Sequence, residues 1–130
     1  MADDGRLALL EAYRALNAAD VGGFAAILAE DDSEPLLIGT GPDDRWQGRQ
    51  AILAGFEEQF RSYPGLRFEP GEMHVGVDGN VCWIAEDPTL TLPDGTRVLA
   101  RHTAVMRRVD GAWRLVSSHL SVGSPDDANG

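Results

Sequence analysis

The sequence predicts an α+β domain in which three helices pack in the concave face of a strongly bent, mostly antiparallel sheet, in the order α-α-β-α-β-β-β-β. Three observations carry this reading. Apolar residues recur at helical spacing in three segments before residue 64, turn-forming Asp-Gly and Gly-Asn pairs punctuate the chain after it, and the segments between those turns are rich in β-branched and aromatic residues.

The first helix is expected within Asp4 to Ala19, where Leu7, Leu9, Leu10, Tyr13 and Leu16 supply an apolar face. Asp20 can cap a second, shorter helix, with Phe24, Ile27 and Leu28 as its apolar stripe and Glu30-Asp31-Asp32 at its end. Leu36-Leu37-Ile38 reads as a strand entering the loop Gly39-Thr40-Gly41-Pro42. After Asp43-Asp44-Arg45-Trp46-Gln47-Gly48 a third helix follows, because Ile52, Phe56, Gln59, Phe60 and Tyr63 share one helical face and Pro64-Gly65 stops it. Asp78-Gly79-Asn80, Pro93-Asp94-Gly95 and Asp110-Gly111 then separate four long strands.

At 130 residues and 14.0 kDa the chain has the size of a single core. Residues 1–123 form that domain and 124–130 read as a flexible tail. With 21 acidic against 11 basic side chains the formal net charge is -10, which argues against a nucleic-acid surface. All the basic residues are Arg, so lysine Schiff-base chemistry and a P-loop lysine are excluded. The lone Cys82 offers no internal disulfide and no Cys/His cluster has ligand spacing, so neither metal nor cofactor is implied and a reducing cytoplasm is the expected compartment. The acidic start Met1-Ala2-Asp3-Asp4 is unlike a signal peptide, and no apolar window is long enough for a membrane helix.

Treating Asp94-Gly95 and Asp110-Gly111 as two-residue turns puts Pro93 opposite Thr96 and Val109 opposite Ala112, and the rest of the register follows by counting. One face then carries Trp83, Asp87, His102, Ala104, Met106, Trp113, Leu115 and His119, and the other Ile84, Glu86, Arg101, Thr103, Val105, Ser118 and Leu120. Both faces are substantially apolar, so the sheet is expected to cover its outer face by homodimerisation. On the helical side, three helices cannot cover the bent strands completely, so a conical cavity is expected beneath the third helix.

The element order, the segment Gly-Thr-Gly-Pro-Asp-Asp-Arg-Trp-Gln-Gly (39–48) and the ending Asp-Gly-Ala-Trp-Arg-Leu-Val-Ser-Ser-His-Leu-Ser-Val-Gly (110–123) resemble the SnoaL-like family, over roughly residues 5–123. This resemblance implies the cystatin-like cone shared with nuclear transport factor two and ketosteroid isomerase. That scaffold serves isomerases, cyclases, dehydratases, epoxide hydrolases and non-catalytic assembly domains. The ending is also similar to the association domain of calmodulin-dependent kinase. The resemblance places Tyr13 where the isomerases hold an oxyanion-hole tyrosine. Their general-base Asp falls near Gly39 and their second oxyanion acid at Val105, so steroid isomerisation by that mechanism is not expected. The resemblance also turns positions 103, 105, 118 and 120 inward.

The ligand-binding candidates are therefore Tyr13, Trp46, Glu86, Arg101, Thr103 and Ser118. Glu86, Arg101, Thr103 and Ser118 form a polar group on the inward face. There Arg101 either anchors an acidic or carbonyl-bearing molecule or closes the cavity mouth in a salt bridge to Glu86. Asp87, His102 and His119 line up on the other face as candidates for an acid orienting a histidine base, the alternative being an interfacial row. Trp46 sits at the cavity rim or covers a helix end. Trp83 and Trp113 read as packing or interface residues, Cys82 as a small hydrophobe, and Asp31-Asp32 and Asp43-Asp44 as solvated loop charges. The expected function is binding of a small, mostly apolar ligand in an internal pocket; whether the chain is an enzyme is left open, and any activity is expected to be cofactor-independent isomerase, cyclase or hydrolase chemistry. A non-catalytic homo-oligomerisation domain is the alternative.

Overall fold

The structure is a computed structural model and describes residues 4–30 and 35–123; the expectations for Asp31-Asp32 and for the tail 124–130 lie outside these. Helix α1 spans Arg6–Asn17, α2 spans Val21–Ala25 and α3 spans Arg49–Ser62. Asp20 caps α2 as expected, its carboxylate accepting from Gly23 N at 2.9 Å. The buried stripe of α1 is Leu9, Ala12, Tyr13 and the partly covered Leu16, an i, i+3, i+4, i+7 set. Leu7 and Leu10, expected on that stripe, fall off it, and Leu7 is 79% exposed.

The strands are β1 (Leu36–Ile38), β2 (Arg45–Gln47), β3 (Arg67–Glu69), β4 (His74–Asp78), β5 (Val81–Glu86), β6 (Thr89–Thr91), β7 (Arg97–Leu99), β8 (Arg101–Val109) and β9 (Ala112–Ser121). They form a six-stranded sheet in the order β2-β1-β9-β8-β5-β4 and a three-stranded sheet in the order β3-β6-β7. All pairings are antiparallel except β1 with β9. The four long strands read from the sequence are thus seven segments, because three of the four bend sharply enough to break.

The bend has identifiable causes. β3 gives way to β4 through Pro70-Gly71, where a Cβ on Gly71 would stand 2.4 Å from the carbonyl oxygen of Asp87. β5 gives way to β6 at Asp87 and the fully buried Pro88, whose carbonyl accepts from Ala100 N at 2.9 Å between β7 and β8. Asn17, at the end of α1, pins the bent portion in place. Its side-chain amide donates to Phe68 O at 2.8 Å and its Oδ1 accepts from Phe68 N at 2.7 Å. The core beneath is built from Leu9, Phe24, Leu28, Ile52, Ile84, Met106 and Leu115.

Two features of the register differ from the sequence reading, and each moves a face. The Pro93-Asp94-Gly95 hairpin is a three-residue loop: Leu92 N donates to Thr96 O at 2.8 Å, Gly95 N donates to Leu92 O at 2.8 Å, and Gly95 has φ 91°. Pro93 has no N–H with which to complete the hydrogen-bonded pair that closes a two-residue turn, so Leu92 takes that place. Glu86 therefore pairs with His102 rather than Thr103. The Asp110-Gly111 turn is the two-residue type expected, with Val109 opposite Ala112, but the β8–β9 register slips between Val105 and Met106. Met106 faces Leu115 while Val105 faces Ser117, leaving Val116 as the extra residue of a bulge.

Candidate functional site

His102 points inward and is only 8% exposed, whereas Arg101 and Thr103 on either side of it are exposed. This reverses the expectation for all three, and it is the direct result of the longer hairpin loop. Val105 also faces outward, against the facing the family resemblance implied. Arg101 accordingly anchors nothing in the cavity and makes no salt bridge with Glu86; its guanidinium lies beside Gly123. Glu86 and Ser118 face inward as expected, Ser118 because the bulge at Val116 compensates on its own strand. The row of Asp87, His102 and His119 is not assembled, since Asp87 and His119 are on the exposed side. Trp113, expected outside with Trp83, is buried.

What the true register brings together is a buried chain of Tyr13, Glu86, His102 and Ser118. Glu86 Oε2 accepts from the Tyr13 hydroxyl and stands 3.0 Å from His102 Nδ1. Glu86 Oε1 accepts from Gly71 N at 2.8 Å. His102 Nε2 lies 2.6 Å from Ser118 Oγ. A carboxylate can only accept, so against it His102 donates through Nδ1, and when the ring is neutral its Nε2 lone pair receives the Ser118 hydroxyl proton. The 3.2 Å approach of Tyr13 Oη to His102 Nδ1 follows from both groups converging on one carboxylate oxygen. Desolvation by burial, reinforced by hydrogen bonding to Glu86 and by its charge, pushes the Tyr13 phenol far above its ordinary value.

Each member is held by the local chain. Tyr13 lies on the buried stripe of α1, Glu86 is the last residue of β5 before the bend, and Gly71 reaches Glu86 because the absence of a side chain lets it sit against Asp87. Ser118 lies two residues past the bulge.

A cavity of about 470 Å³ opens onto this chain. Tyr13, His102 and Ser118 line it, while Glu86 lies behind them with its side chain inaccessible. The volume lies in the range of small-molecule sites, and most of the wall is apolar, including Leu9, Phe24, Leu37, Phe56, Leu66 and Leu90. Trp46, expected at the cavity rim or over a helix end, lines the cavity with its indole lying against Gly55 of α3, where a Cβ would approach Nε1 to 2.4 Å. Asp44, read from sequence as a solvated loop charge, also lines it. No Arg contributes to the described wall, and the chain contains no Lys. Among the described residues no group of three His, Cys, Asp or Glu side chains could hold a metal ion, and no helix is long and apolar enough to cross a membrane.

Chemically, His102 combines a carboxylate on one ring nitrogen with a hydroxyl on the other at the wall of an apolar chamber. Such an array can take a proton through Ser118 Oγ and hold the resulting imidazolium charge on Glu86. The oxyanion role that the resemblance implies for Tyr13 is not available here, because its single O–H is already given to Glu86. Two sequence signals pointed to the true register. Pro93 cannot donate, and Leu115 and Leu120 are an odd number of residues apart, so both can face the cavity only across a bulge.

Comparison with known proteins agrees with the fold. The SnoaL-like domain family matches residues 6–125, and the chain belongs to that family; its fold is that of solved structures described as nuclear transport factor two-like with a cystatin-like fold. Among curated proteins, none matches. A provisionally assigned dehydratase of the nuclear transport factor two-like family from Streptomyces avermitilis superposes with a TM-score of 0.83 at 19% identity, over 92% of this chain and 94% of that one. A provisionally assigned calcium/calmodulin-dependent protein kinase type II association domain from Thiobacillus denitrificans superposes with a TM-score of 0.79 at 28% identity, over 90% and 93%. A provisionally assigned scytalone dehydratase from Novosphingobium aromaticivorans gives 0.77 at 11%, over 91% and 80%.

The Tyr13 environment has a measurable consequence. A phenol whose folded-state pKa is raised favours the folded state fully below the unfolded value near 10 and loses that advantage as pH climbs beyond it. In an alkaline titration followed by phenolate absorbance, Tyr13 is expected to contribute no signal while the chain remains folded. Tyr13→Phe should leave the folded portion of the curve unchanged; a smaller pre-unfolding amplitude in the variant would contradict the assignment.

Proposed function

We propose that this SnoaL-like chain binds a small, mostly apolar molecule in its internal cavity and transfers a proton at a hydroxyl or carbonyl group of that molecule, without a cofactor. The observation that carries this reading is the Glu86–His102–Ser118 array facing a cavity of about 470 Å³. His102 is the proton-accepting and proton-donating group, the Ser118 hydroxyl passes the proton between ligand and Nε2, and Glu86 and Tyr13 are positioning residues. Proton transfer of this kind serves isomerisation, cyclisation, hydrolysis and dehydration alike, and two of the similar folds belong to provisionally assigned dehydratases. A purely structural role would not require His102 and Ser118 to line a chamber.

Screening a panel of small hydroxylated and carbonyl-bearing molecules for ligand-induced thermal stabilisation tests binding, since a ligand of the folded state must raise the unfolding temperature. For any panel member that is turned over, His102→Ala is expected to lower kcat by about 100-fold or more, the scale of acid–base catalysis. Arg101→Ala and His119→Ala, on the exposed face, should leave it unchanged. Turnover that survives His102→Ala would overturn the proton-transfer role.

A second reading, homo-association through the outer sheet face, is favoured by a specific patch. Trp83 is 50% exposed beside its strand partner Val105, and Val81, two residues before it on β5, is exposed on the same face. The Trp83 ring lies over Gly76, where a Cβ would come within 2.2 Å of it, so the indole is spread flat as an apolar plate. The likeness to an association domain at 28% identity supports the same reading. The two readings are compatible, because cavity and plate lie on opposite faces. Sedimentation equilibrium at micromolar concentration is expected to give twice the 14.0 kDa chain mass, and Trp83→Arg to give the single chain. A single-chain mass for the unmodified protein would remove this reading.

A further inference from the structure

We propose that Asp44 and Trp46 form a subsite for a protonated amine, so that the ligand of this cavity is a small apolar molecule bearing an ammonium group at the end away from His102. The inference rests on the reading of the cavity as a small-molecule site and adds the charge class of the ligand.

Asp44 lies in the loop between β1 and β2 and lines the cavity half-buried. Its Oδ2 accepts from Gly41 N at 2.9 Å, which orients the carboxylate. None of the ion pairs among the described residues involves it. Trp46 is its immediate neighbour in space. A Cβ placed on Gly39 would lie 3.2 Å from Asp44 Oδ2 and 3.3 Å from Trp46 Cζ3, so carboxylate and indole edge approach the same point. Phe56 and Tyr63 add further aromatic surface to the same cavity. A carboxylate in a partly desolvated wall is suited to a cation, because its charge is screened less there than in water, and the aromatic rings beside it supply apolar surface for the body that carries the charge. The opposite charge class has no counterpart, since no Arg contributes to the described wall and Lys is absent from the chain.

The distance to the proton-transfer group is set by the strands. Leu37 of β1 is the register partner of Ser118, Gly39 lies two residues farther along, and the β1–β2 ladder continues to Asp44, with Gly39 N donating to Asp44 O at 2.8 Å. Two residues of rise and two strand spacings separate the Ser118 and Asp44 Cα atoms by roughly 12 Å. A molecule with its hydroxyl or carbonyl at Ser118 and its ammonium at Asp44 therefore carries an apolar body between two polar ends.

The test uses three probes with one hydrocarbon body: 2-(2-naphthyl)ethylamine, 2-(2-naphthyl)ethanol and 2-naphthylacetic acid, titrated calorimetrically into the full chain at constant ionic strength. The amine is expected to bind about tenfold more tightly than the alcohol, with the acid weakest. Asp44→Asn keeps an acceptor for Gly41 and removes the charge, and should bring the amine down to the alcohol's affinity while leaving the alcohol unchanged. Asp43→Asn makes the same change in net charge at an exposed position and should leave the amine preference intact. Equal affinities for amine and alcohol, or a preference that survives Asp44→Asn, would overturn the subsite while leaving the cavity reading standing. Binding of none of the three would overturn both.

Discussion

The Glu86 carboxylate is the group on which the interior arrangement depends. It is buried, and each donor it receives comes from a different part of the chain: the Tyr13 hydroxyl from α1, the His102 ring from β8 and the Gly71 amide from the bend between β3 and β4. A buried carboxylate without such partners would be prohibitively costly, so the helix, the sheet and the bend are constrained to meet at one point. The same convergence fixes the tautomer of the neutral histidine and hence the direction in which Ser118 donates to it. Structure and chemistry are in this sense the same requirement.

The fold was legible because it is written in local signals that reinforce one another. The cap at Asp20, the stop at Pro64-Gly65 and the turn at Asp110-Gly111 each fall where the residue chemistry places them. The inward facing of β8 was not legible by counting, because period-two arithmetic carries any one-residue error along a whole strand. Pro93 supplied such an error by being unable to close a two-residue turn, and His102 exchanged places with Arg101 and Thr103 as a result. The bulge at Val116 supplied a second shift, confined to β9, which is why Ser118 was placed correctly. Tyr13, Trp46 and Glu86 were recognisable as inward residues from their own segments, whereas Ser118 was placed inward only because the two shifts cancel; what could not be seen was that the fourth polar partner is a histidine. Asp44 was missed because loop residues carry no periodicity from which to read a facing.

The sheet divides labour between its two sides. Its concave side carries the polar chain and an apolar wall, while its convex side carries Trp83, Val105, Arg101, Thr103 and His119. Alternation of side chains along each strand lets a single residue sequence serve both, so that changes on one side leave the other undisturbed. The bend that breaks three of the long strands is what gives the concave side enough depth for a chamber, and the glycines at 55 and 71 admit the Trp46 indole and the Asp87 carbonyl where any side chain would collide.

Long-range proton–nitrogen correlation spectroscopy of the histidine rings tests the account most directly. If Glu86 orients His102 as described, the neutral ring carries its proton on Nδ1, that proton resonates far downfield, and Glu86→Gln abolishes the downfield position. A neutral His102 protonated on Nε2, or an Nδ1 proton whose resonance is unmoved by Glu86→Gln, would contradict it.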